Sequence, residues 1–238
     1  MKRGLLDQLL AARAEKRAAA LVTDLGDGQQ SLVVDGRASG DLGLTEAQAA
    51  AVAKAVAADR SGMIAESRLF VRVFNPPLRL FVIGAVHITQ ALAPMAQLAG
   101  YEVTVIDPRR AWATDARFPG IRMVDLWPDE ALAAAALDHR SAVVTLTHDP
   151  KLDDPALDQA LNSAAFYIGS LGSKRTHGAR LERLREAGFG EAATDRIHGP
   201  IGLDIGAKSP SEIAVSILAQ MTEVRHRRPH PASPKAAA

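Results

Sequence analysis

The chain has 238 residues, 47% hydrophobic and 23% charged, with a formal net charge of +1. That near-balance gives no electrostatic case for a nucleic-acid partner, and the length suits two unequal domains, since single cores stop growing near about 250 residues. The absence of cysteine excludes disulfides, thiolate metal sites and a persulfide carried by the chain itself.

No run approaches the roughly 18 apolar residues of a membrane span. The start, Met1-Lys2-Arg3 followed by Leu5, Leu6, Leu9 and Leu10, lacks a signal peptide's apolar core and cleavage site, so a cytoplasmic location is expected. In chain order, residues 3–20 read as a helix, followed by two β-rich runs around Asp27-Gly28, a common hairpin turn pair. Thr45 with Gln48 forms a capping-box pattern ahead of an Ala-rich helix over 45–59, and "MIAESRLFVRVF" reads as one strand that Asn75-Pro76-Pro77 stops. These elements predict a smaller α+β domain over 1–77.

From Leu78 the pattern changes to apolar strands separated by helices. The strands are "LRLFVIGA", "YEVTVID", "IRMV", "SAVVTLTH" and "AFYIGSLG"; the helices fall at 87–99, 129–138, 153–164 and 173–187. Such alternation predicts an α/β fold with a doubly wound parallel sheet covered on both faces over 78–225, closed by a helix from Ser209 to Arg225. Residues 226–238 read as a disordered tail.

In a doubly wound sheet, ligands sit beyond the carboxyl ends of the strands, so the loops there are the places to search. The first, Gly84-Ala85-Val86-His87-Ile88-Thr89, meets a dinucleotide fingerprint only at Gly84. Val86 stands where that fingerprint wants a small residue, and its branched side chain resists the positive φ open to glycine. Asp107 follows Gly84 by 23 residues, close to the spacing of about 20 for a ribose-binding acid, and Arg109 and Arg110 come directly after it. The bland alternative is a tight strand-to-helix turn with no ligand.

His148 and Asp149 end the fourth strand of this sheet. His148 is open to three roles, ligand contact, structural hydrogen bonding or proton transfer, while Asp153 or Asp154 is the expected cap of the next helix. After the fifth strand, Gly169, Ser170, Gly172, Ser173, Lys174 and Arg175 open a helix, the composition of an anion site. The competing reading is Ser173 as a simple cap with solvated Lys174 and Arg175. The last loop, "GPIGLDIGAKSPSEIA", offers Gly202 and Asp204 as a backbone wall for a flat ligand, and Ser209 with Glu212 as a cap. No segment carries a nucleophile elbow, metal-ligand spacing or a Walker lysine, so no catalytic residue and no metal ligand is expected.

The order "FVIGAVHITQALAPMAQLAGYEVTVIDPR", "RFPG", "TLTHDPKLDDPAL", "YIGSLGSKRT" and "GPIGLDIGAKSPSEIAVSILAQ" resembles the XdhC/CoxI family over residues 78–222. These are accessory proteins of molybdenum hydroxylases such as xanthine dehydrogenase and carbon monoxide dehydrogenase. The resemblance implies a Rossmann-like domain that binds the molybdenum cofactor, as molybdopterin or its cytidine dinucleotide form, protects it during sulfuration by a cysteine desulfurase, and passes it to the apo-hydroxylase. A pterin nucleotidyltransferase and a second copy of the chain are further partners it suggests. Two departures stand out. Val86 replaces the glycine of a Gly-x-Gly-His loop whose His87 is kept, and the family's Cys-containing N-terminal segment has "DGRASGDLG" as its nearest remnant here.

The resulting expectation is a non-catalytic, cofactor-handling chaperone whose cleft is built from Gly84, Ala85, Val86, His87, Asp107, Arg109, His148 and the loops bearing Gly169–Arg175, Gly202 and Asp204. The competing classes are an NAD(P)-binding oxidoreductase, motivated by Gly84 and Asp107, and a protein-only assembly scaffold. At Val86 two outcomes are open: the loop is reshaped around the side chain with the site intact, or binding is lost.

Overall fold

A computed structural model describes residues 2–226 except 113 and 115. The expected tail lies outside them apart from His226, which ends the last helix. Backbone contacts divide the chain between Pro76 and Pro77.

In the first unit, α1 (Arg3–Ala14) precedes β1 (Ala19–Asp24), β2 (Gln30–Val34), β3 (Arg37–Gly40), α2 (Glu46–Ala57), β4 (Gly62–Met63) and β5 (Leu69–Phe74). The strands form an antiparallel sheet in the order β3-β2-β1-β5-β4. Strand alternation splits its core in two. Ala19 and Leu21 meet Leu5, Leu9 and Ala12 of α1, whereas Ala20 and Val22 lie in the cluster with Val52 of α2.

Two expectations are corrected here. The first helix stops at Ala14 rather than 20, with Lys16 in the left-handed region, because the alanines that follow are taken into β1. Ala19 and Ala20 are almost wholly buried and paired with β2 and β5, so tertiary packing overrides their helix propensity. The single strand over 63–74 is a hairpin, β4 and β5, turned around Glu66 at positive φ. The "DGRASGDLG" segment contains the edge strand β3, entered through Asp35-Gly36 with φ values of 47° and 78°, the two-residue turn suited to a twisted hairpin.

The second unit runs β6 (Leu78–Ile83), α3 (His87–Leu98), β7 (Tyr101–Ile106), β8 (Arg122–Val124), α4 (Pro128–Ala135), β9 (Ser141–Thr145), α5 (Pro150–Leu161), β10 (Tyr167–Ser170), α6 (Lys174–Glu186), α7 (Glu191–Thr194), β11 (Ile197–His198) and α8 (Pro210–His226). Its six strands are parallel, in the order β11-β10-β9-β6-β7-β8. That is the doubly wound Rossmann order, in which the chain reverses direction across the sheet between β6 and β9.

The central strand shows why its sequence reads as a continuous apolar run. Leu80 and Val82 face Leu92 and Ala96 of α3 and Ile217 and Met221 of α8, whereas Phe81 and Ile83 face Leu132 of α4 and Leu157 of α5. Burying a Leu, Val or Ile side chain contributes about 1.5–3 kcal/mol, so a strand sandwiched between two helix layers gains on both faces.

Candidate functional site

The carboxyl ends of β6 and β9 flank the switch point. Gly84 has φ of +108°, and a Cβ there would stand 2.6 Å from Thr147 Cγ2, so conformation and crowding by the β9 loop both demand glycine. The Gly84 carbonyl accepts from the buried Thr89 hydroxyl at 2.5 Å, which ties the turn to the first helical turn of α3. Val86 is the N-cap of that helix, with φ of −98° and ψ of 175°. Such an extended conformation suits a β-branched residue, and the half-buried side chain packs onto the apolar core. No positive φ is required at Val86, and the turn accommodates its side chain. His87 is exposed as the first residue of α3.

Asp107 is fully buried at the end of β7. One carboxylate oxygen accepts from the Ala85 amide at 2.8 Å and Arg109 Nη2 at 2.8 Å; the other accepts from the Arg109 amide at 3.0 Å and Nε at 2.9 Å. Burial by itself pushes the pKa of such a group up, but the Arg109 fork and the two amides outweigh it and hold the carboxyl below the usual range. The acid that sequence spacing offers to a ribose is thus turned inward, and with the exposed Arg109 it staples the β6 and β7 loops together.

His148 is exposed and left-handed, φ 62°, at the top of the β9 loop. Its neighbour Asp149 caps α5 by accepting the Lys151 amide at 3.0 Å, with Pro150 at the first helical position. This corrects the expected cap: α5 starts at Pro150 rather than 153, and Asp153 points into the protein. Its Oδ1 accepts from the Thr147 hydroxyl at 2.6 Å.

The β10 loop divides into an inner and an outer part. Gly169 is buried, and a Cβ there would meet Ile201 at 2.6 Å, so its bare side faces the core. Ser170 is fully buried with its hydroxyl 2.5 Å from that of Thr145. Gly172 has positive φ, +148°, and Ser173 caps α6 by accepting the Thr176 amide at 3.1 Å. Lys174 and Arg175 are exposed. Helix geometry leaves their amides without an intrahelical acceptor.

Beneath this loop lies a group that no sequence motif marks. Arg180, 2% exposed, reaches back along α6 and donates from Nη2 to the Leu171 carbonyl at 2.9 Å. The same nitrogen is 3.9 Å from Asp153 Oδ2, too far for a hydrogen bond. Among the described residues, Arg180 Nε and Nη1, Asp153 Oδ2 and His177 Nδ1 have no hydrogen-bond partner. Burial dominates both members of this pair, raising the Asp153 carboxyl and lowering the Arg180 guanidinium from their ordinary values. Burial first, and then the Arg180 charge, likewise lower His177.

The last loop is held by Gln220 of α8, whose Oε1 accepts from the Gly202 amide at 2.8 Å and the Tyr167 hydroxyl at 2.6 Å, while its Nε2 donates to the Gly202 carbonyl at 3.2 Å. Gly202, φ +91°, has no room for a Cβ against Ser216. Asp204 is exposed beyond it. Ser209 and Glu212 form the expected reciprocal cap of α8. The structure therefore joins the β6, β7 and β9 loops through Gly84, Asp107 and Thr147, and the β9 and β10 loops through Asp153 and Arg180. Gly169, Ser170 and Gly202 serve packing.

A family model described as the XdhC Rossmann domain matches residues 80–221. The chain is 34% identical over 152 residues to the molybdenum cofactor insertion chaperone PaoD of Escherichia coli (strain K12), covering 64% of this chain and 42% of that protein. It is 31% identical over 162 residues to a probable xanthine dehydrogenase subunit of Bacillus subtilis (strain 168), covering 68% of this chain and 47% of that protein. It therefore spans less than half the length of these curated relatives. A crystal structure described as a xanthine dehydrogenase from Bacillus halodurans superposes with a TM-score of 0.74 at 24% identity, over 98% of this chain and 67% of that one, a likeness of fold.

Proposed function

The chain belongs to the XdhC Rossmann-domain family, and we propose that it binds the molybdenum cofactor and serves as an accessory chaperone in the cofactor's maturation and insertion into a molybdenum hydroxylase. The cofactor is molybdopterin or its cytidine dinucleotide form. The partners are the apo-hydroxylase, a cysteine desulfurase that sulfurates the bound cofactor and a nucleotidyltransferase that supplies it. With no cysteine in the chain, the protein's contacts are to the phosphate and the pterin ring rather than a thiolate on the metal.

The observation that carries the reading is the fate of Asp107. Among the described residues, the four hydrogen bonds to its carboxylate come from Ala85 and Arg109, so the acid that the ribose of a nicotinamide dinucleotide would need is already taken. The bare backbone at Gly172 and the start of α6 suits a single phosphate group instead. The likeness to PaoD supports the same ligand.

Purification from the native host with metal and pterin analysis tests the proposal; pterin and molybdenum are expected at near-stoichiometric amounts. Titration with NAD(H) and NADP(H), followed by fluorescence of the half-exposed Trp112 and Trp127, tests the dinucleotide alternative. Micromolar nicotinamide binding with hydride transfer would overturn the proposal. A protein-only scaffold would gain no thermal stability from the pterin, whereas a bound ligand at 100 times its Kd adds about 2.7 kcal/mol.

A further inference from the structure

A guanidinium carries five N–H donors and cannot shed its charge at physiological pH. In Arg180 one nitrogen is used, on Leu171, while Nε and Nη1 are buried without partners among the described residues. Burying a cation with most of its donors unfilled is unfavourable, and Asp153 at 3.9 Å recovers little of the loss. By contrast, Arg183 one turn later makes a forked pair with Asp154 at 2.6 and 3.0 Å, so α6 can satisfy an arginine fully when structure alone is served.

The position of the unfilled guanidinium is specific. It underlies Gly172, where a Cβ would come within 3.7 Å of Nη2 and 3.2 Å of Thr176. Glycine at positive φ adds no side chain of its own beside Thr176 and Nη2, at the first turn of α6. Two independent features thus meet at this loop: helix amides with the positive end of the dipole, and a buried cation whose Nη2 reaches Leu171 and Gly172.

We infer that Arg180 is the charge that anchors a phosphate group at the start of α6, reached past Gly172, and that Lys174 and Arg175 are solvated surface residues. The inference rests on the proposed phosphate-bearing ligand and deepens it by naming the anchoring residue. Two guanidinium nitrogens left unfilled favour an anion with several acceptor oxygens, such as a phosphate group, over chloride.

The test is calorimetric titration of the full chain with inorganic pyrophosphate and inorganic phosphate, at constant ionic strength, on the parent, Arg180→Met, Gly172→Ala and Lys174→Ala/Arg175→Ala. Arg180→Met is expected to weaken pyrophosphate tenfold or more, and the double surface variant less than threefold. Gly172→Ala narrows the opening without altering charge and is expected to weaken binding as well; it provides the reading if Arg180→Met fails to fold. Parent-like affinity in both Arg180→Met and Gly172→Ala, a parent that binds neither anion, or an equal loss in the surface double variant overturns the inference. Arg180-dependent pyrophosphate binding in a protein that never co-purifies with pterin would leave the anchor standing and remove the cofactor assignment.

Discussion

Two Asp–Arg pairs lie under the cleft loops, and they differ in almost every physical respect. Asp107 and Arg109 are two residues apart, share forked hydrogen bonds at 2.8–2.9 Å, and take in two backbone amides as well. Asp153 and Arg180 come from different helices, are both almost wholly buried, stand 3.9 Å apart and leave three polar atoms unfilled. In the first pair hydrogen bonding overcomes desolvation, and in the second desolvation wins, which is why the two carboxyls shift in opposite directions. A satisfied pair of this kind fixes a loop, whereas an unsatisfied one has donors left for a ligand.

The largest expected effect comes from breaking the satisfied pair. Asp107→Ala strands the Ala85 amide and the Arg109 fork, and should lower unfolding free energy by about 3 kcal/mol in urea denaturation. Because the folded Asp107 value lies below the unfolded one, its stabilisation is present above the ordinary carboxylate range and lost as pH falls through the folded value. The gap between parent and variant should therefore narrow in acid. Asp153 has the opposite sign: its raised folded value gives stability present below the unfolded value and lost as pH rises through the folded one. Asp153→Asn should gain on the parent over that rise, and an Asp153→Asn profile parallel to that of the parent would erase the contrast.

Next in size is Gly84→Ala, where a Cβ meets Thr147 at 2.6 Å from a backbone at φ +108°. A loss of about 2 kcal/mol in the same assay is expected, since both strain and overlap must be relieved. Val86→Gly should lose about 1 kcal/mol through lost packing and a looser backbone, with no gain in affinity for a pterin or dinucleotide, because Val86 already adopts an unstrained extended conformation. A tenfold gain in affinity by calorimetry would instead mark the site as closed by that side chain. The smallest change belongs to the unsatisfied pair: Asp153→Asn with Arg180→Met removes both buried charges together, and apo stability should shift by less than about 1 kcal/mol or rise.

The parallel sheet was legible because its central strands are apolar on both faces, as Leu80–Ile83 and Ala142–Val144 are, and because the proline pair breaks the pattern. Capping residues were legible where the motif is local, as at Thr45/Gln48 and Ser209/Glu212. Asp149 escaped notice because three aspartates near the start of α5 compete for the cap, and the choice depends on which one turns toward Thr147. Arg180 escaped for a related reason: it sits in a helix rich in arginine and glutamate, where nothing in the spacing distinguishes a buried cation from solvated ones.

Sequence by itself determined the alternation of strands and helices, the glycine at position 84, the capped opening of α6 at Ser173 and the family resemblance, all of which reside in residues close along the chain. Tertiary structure decided that Ala19 and Ala20 join a strand, that Val86 needs no positive φ, that Asp107 is spent on Arg109, and that Asp153 and Arg180 meet beneath Gly172. Those outcomes depend on burial and on partners distant in the chain, 27 residues for Asp153 and Arg180 and 55 for Ala19 and Phe74. Desolvation and hydrogen-bond satisfaction are set by the folded surroundings, so no local pattern encodes them.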